Sequence, residues 1–441
     1  MHLRDSKVLS DTVLVGALTV LVKLAGAGKV VFSAHLFGAG DQLDAYLIAF
    51  LIPSFLGEVL AGSLTASLIP TLIETRERNG QTAAHELYST VLIAATVLLC
   101  GVAAVIALGS NVVIRLLGSG FSPEKHHLTQ VFFLWMAPVL PLSAISVTWR
   151  ALLNAKERFA AAAAVPILTP VITIGFLFAA GRAFGAVSLA WGTLAGSAAE
   201  VLTLAVALEL HGIRVRPVRP VWSDAARQVF SQYLPMAAGC VLLCGSSLID
   251  QTMAAMLAAG SVSALNFGTR VSGVIVAVGP QALSTAILPR FSKMTAMSDW
   301  LGLRETLKRY ALVSVAVSVP VTALLVYLSE PIVRLIFERG AFTAADARTV
   351  VNVQTFSLLQ IPVSILLALV VRAVSSLKAN ELLLRMAALG LTANVVLDYV
   401  LMQKLGVAGI ALSAPLVTTV SLTFLTYLFY RRAKTRILVA Y

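Results

Sequence analysis

The stretch KLAGAGKVVFSAHLFGAGDQLD, from Lys23 to Asp44, decides how the rest of the chain is read. Apolar sequence flanks it on both sides, yet it carries two lysines and two aspartates. A charge inside a bilayer-length apolar segment costs roughly 2.5 kcal/mol or more, so such a group usually faces a water-filled cavity and has a role there. Gly26 and Gly28 lie between the lysines, where glycine loosens a helix and admits close approach of other groups. The stretch reads as one wall of a cationic, water-filled cavity inside a membrane transporter.

Composition supports a membrane setting. Of 441 residues, 58% are apolar and only 12% charged, against about 25% charged in soluble domains. A mean hydropathy of +0.89 over this length requires many membrane spans. A short basic head, Arg4 and Lys7, precedes an apolar run from Val8. That run reads as a first span rather than a cleaved leader, because it contains Lys23 and Lys29. The net charge of +12 would point to nucleic acid in a soluble protein, but its distribution gives it another meaning below. Cys100, Cys240 and Cys244 all lie in apolar runs without the histidines or further cysteines of a metal set, and read as small packing residues.

Twelve apolar segments of membrane length are expected: 9–35, 44–73, 86–110, 128–153, 158–181, 186–210, 226–256, 262–290, 304–328, 349–376, 382–403 and 408–430. Prolines recur within them, including Pro53, Pro138, Pro166, Pro280, Pro320, Pro362 and Pro415. Such kinks suit helices that line a cavity and move. With the N-terminus inside, 23 of the 33 Lys and Arg residues fall on the cytoplasmic side and seven in outer loops, Lys125 among them. Lys23, Lys29 and Arg270 lie within spans. The positive charge is therefore a topology signal, which places both termini in the cytoplasm and implies no nucleic-acid partner.

The chain also repeats itself at an offset near 220 residues. T-A-S-L-I-P at 65–70 returns as T-A-I-L-P at 285–289, and G-F-S at 120–122 as A-F-T at 341–343. P-L-S at 141–143 returns as P-V-S at 362–364, and R-A-L-L-N-A-K at 150–156 as R-A-V-S-S-L-K at 372–378. Four matches in order indicate duplication. The expected fold is an all-α polytopic membrane protein of two six-helix lobes, 1–212 and 225–441, joined by a basic cytoplasmic linker at 213–224. Six spans per half give both lobes one orientation, with the natural binding site at their interface.

The halves differ in their intramembrane charges. Lys29 and Asp250 stand at equivalent repeat positions, one cationic and one anionic. Lys23, Lys29 and Arg270 could hold an anionic substrate; snorkelling to an interface is the rival reading for the lysines. Asp44 could cap the second span, or join the site, and Asp41 reads as solvated in the outer loop. Asn394 and Asp398 share a helix face, and Asp250 and Ser413 enter their spans to similar depth. These four oxygen donors suit a sodium ion or a shared proton; interhelical hydrogen bonding is the alternative. Glu58 could be a proton site or a lysine partner, and Glu200 a packing polar residue. His126-His127 reads as solvated. No catalytic constellation and no phosphate-binding glycine loop is present, so no enzyme and no nucleotide cofactor is expected.

The segments L-F-G-A-G-D-Q-L-D-A-Y-L-I-A-F-L-I-P at 36–53, G-S-V-S-A-L-N-F-G-T-R at 260–270, A-I-L-P-R at 286–290 and R-G-A-F-T at 339–343 resemble the MurJ/MviN family of lipid II flippases. That family belongs to the MATE-like exporter superfamily, and the resemblance covers essentially the whole chain. It implies that Lys23, Lys29, Asp44 and Arg270 line the cavity receiving a lipid pyrophosphate, and that Asp250, Asn394 and Asp398, with Ser413 a looser match, follow a sodium-site pattern. It implies a flippase for a polyprenyl-pyrophosphate-linked saccharide, foremost lipid II, in the bacterial cytoplasmic membrane. Its partners would be membrane lipid and cell-envelope biosynthesis proteins. This chain has lysines in its first span where the family has arginines, and Gly57-Glu58 and Gly62 where the family has an Arg pair and a Glu in the second span. The family tends to fourteen spans, against twelve here. An exopolysaccharide or O-antigen lipid-linked unit is the neighbouring alternative. A MATE-type antiporter expelling organic cations is disfavoured by the three intramembrane cations.

Overall fold

The computed structural model describes the backbone of residues 2–213, 216–377 and 379–439, and side chains at 14–213, 216–276, 287–377 and 379–432. Positions 285–286 of the second T-A-I-L-P, Pro280, Lys378, and Arg4 and Lys7 of the basic head thus lie outside the described side chains. Every regular element among the described residues is helical. Among the described residues, ten helical stretches are long and apolar enough to cross a membrane.

The chain forms two compact units, Met1–Cys244 and Gly245–Tyr441. The first contains α1 (His2–Phe37), α2 (Asp41–Leu108), α3 (Ser110–Leu117), α4 (Pro123–Met136), α5 (Val139–Ala155), α6 (Phe159–Ala164), α7 (Leu168–Phe184) and α8 (Val187–Leu210). The helix α9 (Asp224–Ala254) runs across the division. The second unit continues with α10 (Ser261–Ala296), α11 (Trp300–Tyr327), α12 (Ser329–Phe337), α13 (Ala344–Leu358), α14 (Gln360–Ser376), α15 (Asn380–Leu405) and α16 (Val407–Val439).

The segments expected at 44–73 and 86–110 are one 68-residue element, α2, interrupted only at Gly80, whose φ of 85° and ψ of 178° are non-helical. At 1.5 Å per residue an unbroken helix of that length would span about 100 Å, more than twice a bilayer, so Gly80 is where the chain turns. Leucines from both sides of it, Leu64 and Leu68 with Leu87 and Leu99, meet in one buried core with Leu140 and Leu153 of α5. Proline accounts for other breaks. The helical path stops at Met136 and resumes at Val139 around Pro138, and a 3₁₀ turn at Val165–Ile167 holds Pro166 between α6 and α7.

The duplication has a structural counterpart. Short α3 precedes α4 as short α12 precedes α13. Ser122 caps α4 by accepting from the Lys125 N–H at 3.3 Å, and Thr343 caps α13 by accepting from the Asp346 N–H at 3.2 Å. The α7–α8 turn contains Gly185 at φ 58°, ψ −146°, and the α15–α16 turn contains Gly406 at φ 59°, ψ −140°. Only glycine occupies this backbone region readily, so both halves use one residue type at one turn.

The linker does not separate the lobes as a free tether. Val218 N–H donates to Ser89 Oγ at 3.1 Å and Val221 N–H to Thr90 Oγ1 at 3.0 Å. Ala226 and Val229 at the start of α9 are fully buried in the first unit's core. By contact the division falls after Cys244, inside α9, rather than in the segment 213–224.

Candidate functional site

In the first unit α1 is continuous from His2 to Phe37, so Gly26 and Gly28 do not break it. Lys23 is exposed and Lys29 half-buried. The Lys29 Nζ lies 5.9 Å from the Tyr46 ring centroid and 5.5 Å from that of Phe50, two rings of α2 that stack on each other. A cation is attracted to the negative face of such rings. Tyr46 is itself anchored by a 2.8 Å hydrogen bond between its hydroxyl and Thr193 Oγ1 of α8. Neither lysine forms an ion pair among the described residues.

Asp44 pairs with a lysine of α4. It is 1% exposed and accepts from Lys125 Nζ at 2.9 Å, while the same ammonium pairs with Asp41 at 2.8 Å. Lys125 is 6% exposed and sits 4.1 Å from the Phe121 ring centroid. Lys125 thus stands in a helix and not in a loop. Ser122 and Pro123 start α4 just before it, which places Lys125 in the first turn and turns it inward to the two carboxylates on the first turn of α2. Asp41, though 55% exposed, is ion-paired rather than simply solvated. Next to Lys125, His126 is half-buried, with an Nε2 that is buried and lacks a hydrogen-bond partner, so only His127 is solvated. A sequence signal for this cluster exists: the S-P-E-K helix start and the i, i+3 aspartate pair.

Glu58 is exposed on α2 and has no hydrogen bond or ion pair among the described residues, lysines included. Glu200 of α8 is held by hydroxyls, accepting from Thr169 at 2.5 Å and Ser146 at 3.4 Å, in keeping with a packing role.

In the second unit Arg270 is exposed on α10, and its Nη2 donates to Asn266 Oδ1 one turn earlier at 2.7 Å. It has no carboxylate partner among the described residues. The expected oxygen set does assemble. Asn394 Nδ2 donates to Asp250 Oδ1 at 3.0 Å and to Asp398 Oδ2 at 3.2 Å. Ser413 Oγ approaches both Asp398 and the Ile410 carbonyl, the latter at 2.8 Å. Asn394, Asp398 and Ser413 are each at most 2% exposed, and Asp250 is half-buried. The amide oxygen Asn394 Oδ1 is buried without a partner. Two carboxylates, an orphan amide oxygen and a hydroxyl therefore converge from α9, α15 and α16. One positive charge, a hard cation or a proton, would relieve both the repulsion of the carboxylates and the unpaired oxygen.

The family described as "Lipid II flippase MurJ" matches residues 33–440. This chain belongs to the MurJ lipid II flippase family. Two relatives illustrate the likeness. A "Probable lipid II flippase MurJ" from Synechocystis sp. is 25% identical over 432 residues, covering 95% of this chain and 81% of the relative. Another from Rhizobium meliloti is 27% identical over 408 residues, covering 90% and 76%. Among solved structures, "Lipid II flippase MurJ, inward closed conformation" superposes with a TM-score of 0.81 at 21% identity, over 94% of this chain and 87% of that one. An inward-facing MATE family multidrug transporter gives 0.76 at 12% identity, over 96% and 98%. These structural likenesses speak to the fold. The chain is thus an all-helical, polytopic membrane protein of MATE-like architecture and a member of a flippase family.

Proposed function

We propose that this protein translocates lipid II across the bacterial cytoplasmic membrane, with both termini in the cytoplasm, by alternating access. In this reading Lys23, Lys29 and Arg270 receive the pyrophosphate. The observation that carries it is that these three cations have no carboxylate partner among the described residues. Cations in a low-dielectric setting need an anion to relieve them. A pyrophosphate offers that charge and several acceptor oxygens, and Arg270 can donate two parallel hydrogen bonds to it. Asp44 contributes indirectly, by tying Lys125 to the first turn of α2, the helix that carries the aromatic pair beside Lys29.

The carboxylate cluster on α9, α15 and α16 binds sodium, or holds a shared proton, and links that charge to the transport cycle. The buried, partnerless Asn394 Oδ1 favours an occupant in addition to the hydrogen bonds already made. The saccharide leaves on the outer side while the polyprenyl tail stays in lipid. Partners would be the lipid-linked saccharide, membrane lipid and cell-envelope biosynthesis proteins.

The test is rescue of a bacterial strain depleted of its lipid II flippase. The chain should restore growth, whereas Lys29→Ala and Arg270→Ala should insert at normal levels without restoring it. Rescue by both alanine variants at the level of the parent chain would refute the cationic-cavity reading. Failure of the parent chain, with transport of another lipid-linked glycan by the purified protein, would move the substrate to an exopolysaccharide or O-antigen unit.

A further inference from the structure

A cavity of about 610 Å³ lies in the first unit, where the Gly80 turn of α2, the end of α5 and the linker meet. Its volume falls within the range of small-molecule sites. Its charged and polar lining includes Arg76, Lys156, Arg219, His85, Gln81 and Glu86, and Leu72, Leu152, Ile213 and Val221 supply apolar wall. The walls are fixed. The linker is pinned to α2 by His85 Nε2 and the Arg216 carbonyl at 3.2 Å and by the Ser89 and Thr90 bonds given above. Tyr88 in the floor accepts from Trp149 Nε1 at 2.7 Å.

The charge in this cavity is unbalanced. Arg76 pairs with Glu77 at 2.8 Å. Lys156 Nζ has only a long hydrogen bond to Gln81 Oε1, at 3.4 Å, and Arg219 has no ion pair among the described residues. Burial, and after it the neighbouring Arg76 charge, pushes the Lys156 ammonium below the usual lysine range. Two cations held close in a fixed cavity gain from a polyvalent anion between them. Guanidinium groups with a point-charge ammonium match the several oxygens of a phosphate.

We propose that this cavity binds a phosphate-bearing anion through Arg76, Lys156 and Arg219. The source is either an anionic phospholipid headgroup, whose glyceride would lie along the apolar wall, or a soluble phosphate compound. The site shares no residue with the cationic cavity or the carboxylate cluster, so it stands or falls apart from the transport reading.

Full-length protein is purified into nanodiscs of phosphatidylcholine, with or without phosphatidylglycerol, and its thermal unfolding is followed; a third arm adds pyrophosphate to the phosphatidylcholine discs. One anion should raise the midpoint saturably in the parent chain, in Lys29→Ala, and in Arg78→Gln, which removes a cation from the same region outside the cavity. Lys156→Gln/Arg219→Gln should need at least about tenfold more anion for the same rise, the scale of a lost charged hydrogen bond. A rise with phosphatidylglycerol identifies a headgroup site, and one with pyrophosphate alone a soluble ligand. If the double variant does not fold in phosphatidylcholine, Lys156→Gln alone is expected to show the tenfold loss. No rise in the parent chain, or equal responses in the parent and cavity variants, would overturn the proposal.

Discussion

Lys125 offers the sharpest test of the packing argument, because one ammonium serves two carboxylates in opposite surroundings. Asp44 is 1% exposed and Asp41 55% exposed. Replacing Lys125 with Met keeps the stem's apolar contacts but takes from the buried Asp44 carboxylate the ammonium that pairs with it. Breaking a buried pair from one side costs about 3–5 kcal/mol, since the remaining charge loses its compensation. Removing the exposed partner should cost far less, about 1 kcal/mol at most, because water and salt already screen it. Asp44→Asn falls between, since Lys125 keeps Asp41. The expected order of destabilisation is Lys125→Met, then Asp44→Asn, then Asp41→Asn. Lys125→Met/Asp44→Leu should recover most of the loss, because an apolar pair of similar volume removes both desolvation penalties. Chemical denaturation of the detergent-solubilised protein, followed by tryptophan fluorescence, measures the order. Lys125→Met as mild as Asp41→Asn, or a double variant no better than the single, would show that the pair is not held in a desolvated site.

Four further outcomes are expected. Sodium should stabilise the purified protein, by about 2.7 kcal/mol at a hundredfold excess over Kd, and Asp398→Asn should abolish the effect; a chain equally stable in sodium and potassium would leave the proton version of the site. In a binding assay with lipid II, Arg270→Ala should lower affinity by roughly 1.5–3 kcal/mol, with Arg270→Lys intermediate; unchanged affinity counts against its role. Gly406→Ala meets no neighbouring atom, so its cost of about 1–3 kcal/mol should come from the backbone alone; a neutral effect on the melting temperature would contradict that turn geometry. Cysteines at positions 40, 120 and 340 should react with an impermeant reagent from outside the cell and those at 78 and 216 should not; the opposite pattern would invert the topology.

The helical class, the duplication and the carboxylate cluster were legible because each rests on a local or periodic signal. Asn394 and Asp398 share a face by spacing alone, and Asp250 and Ser413 join them because span depth can be counted from the ends. The matched turns at Gly185 and Gly406 appear in the sequence only as glycines; their shared backbone angles are a property of the fold. The Lys125–Asp44 pair escaped because it joins residues 81 positions apart, and an outer-loop lysine ordinarily finds water. The joint at Gly80 escaped for another reason. The residues before it, ETRERN, are polar and mostly good helix formers, so α2 runs to its turn without the loop that composition suggested.

The attachment of the linker to α2 bears on how the gene could be divided. A break at position 212 would strip the N-terminal fragment of Val218, Val221, Ala226 and Val229, and leave Ser89 and Thr90 without the backbone groups they bind. The bend near Gly260, with its φ of 84°, follows α9 and lies beyond all of these contacts. Two co-expressed polypeptides should therefore reassemble when the cut is made there, and aggregate when it is made at the more obvious basic tether.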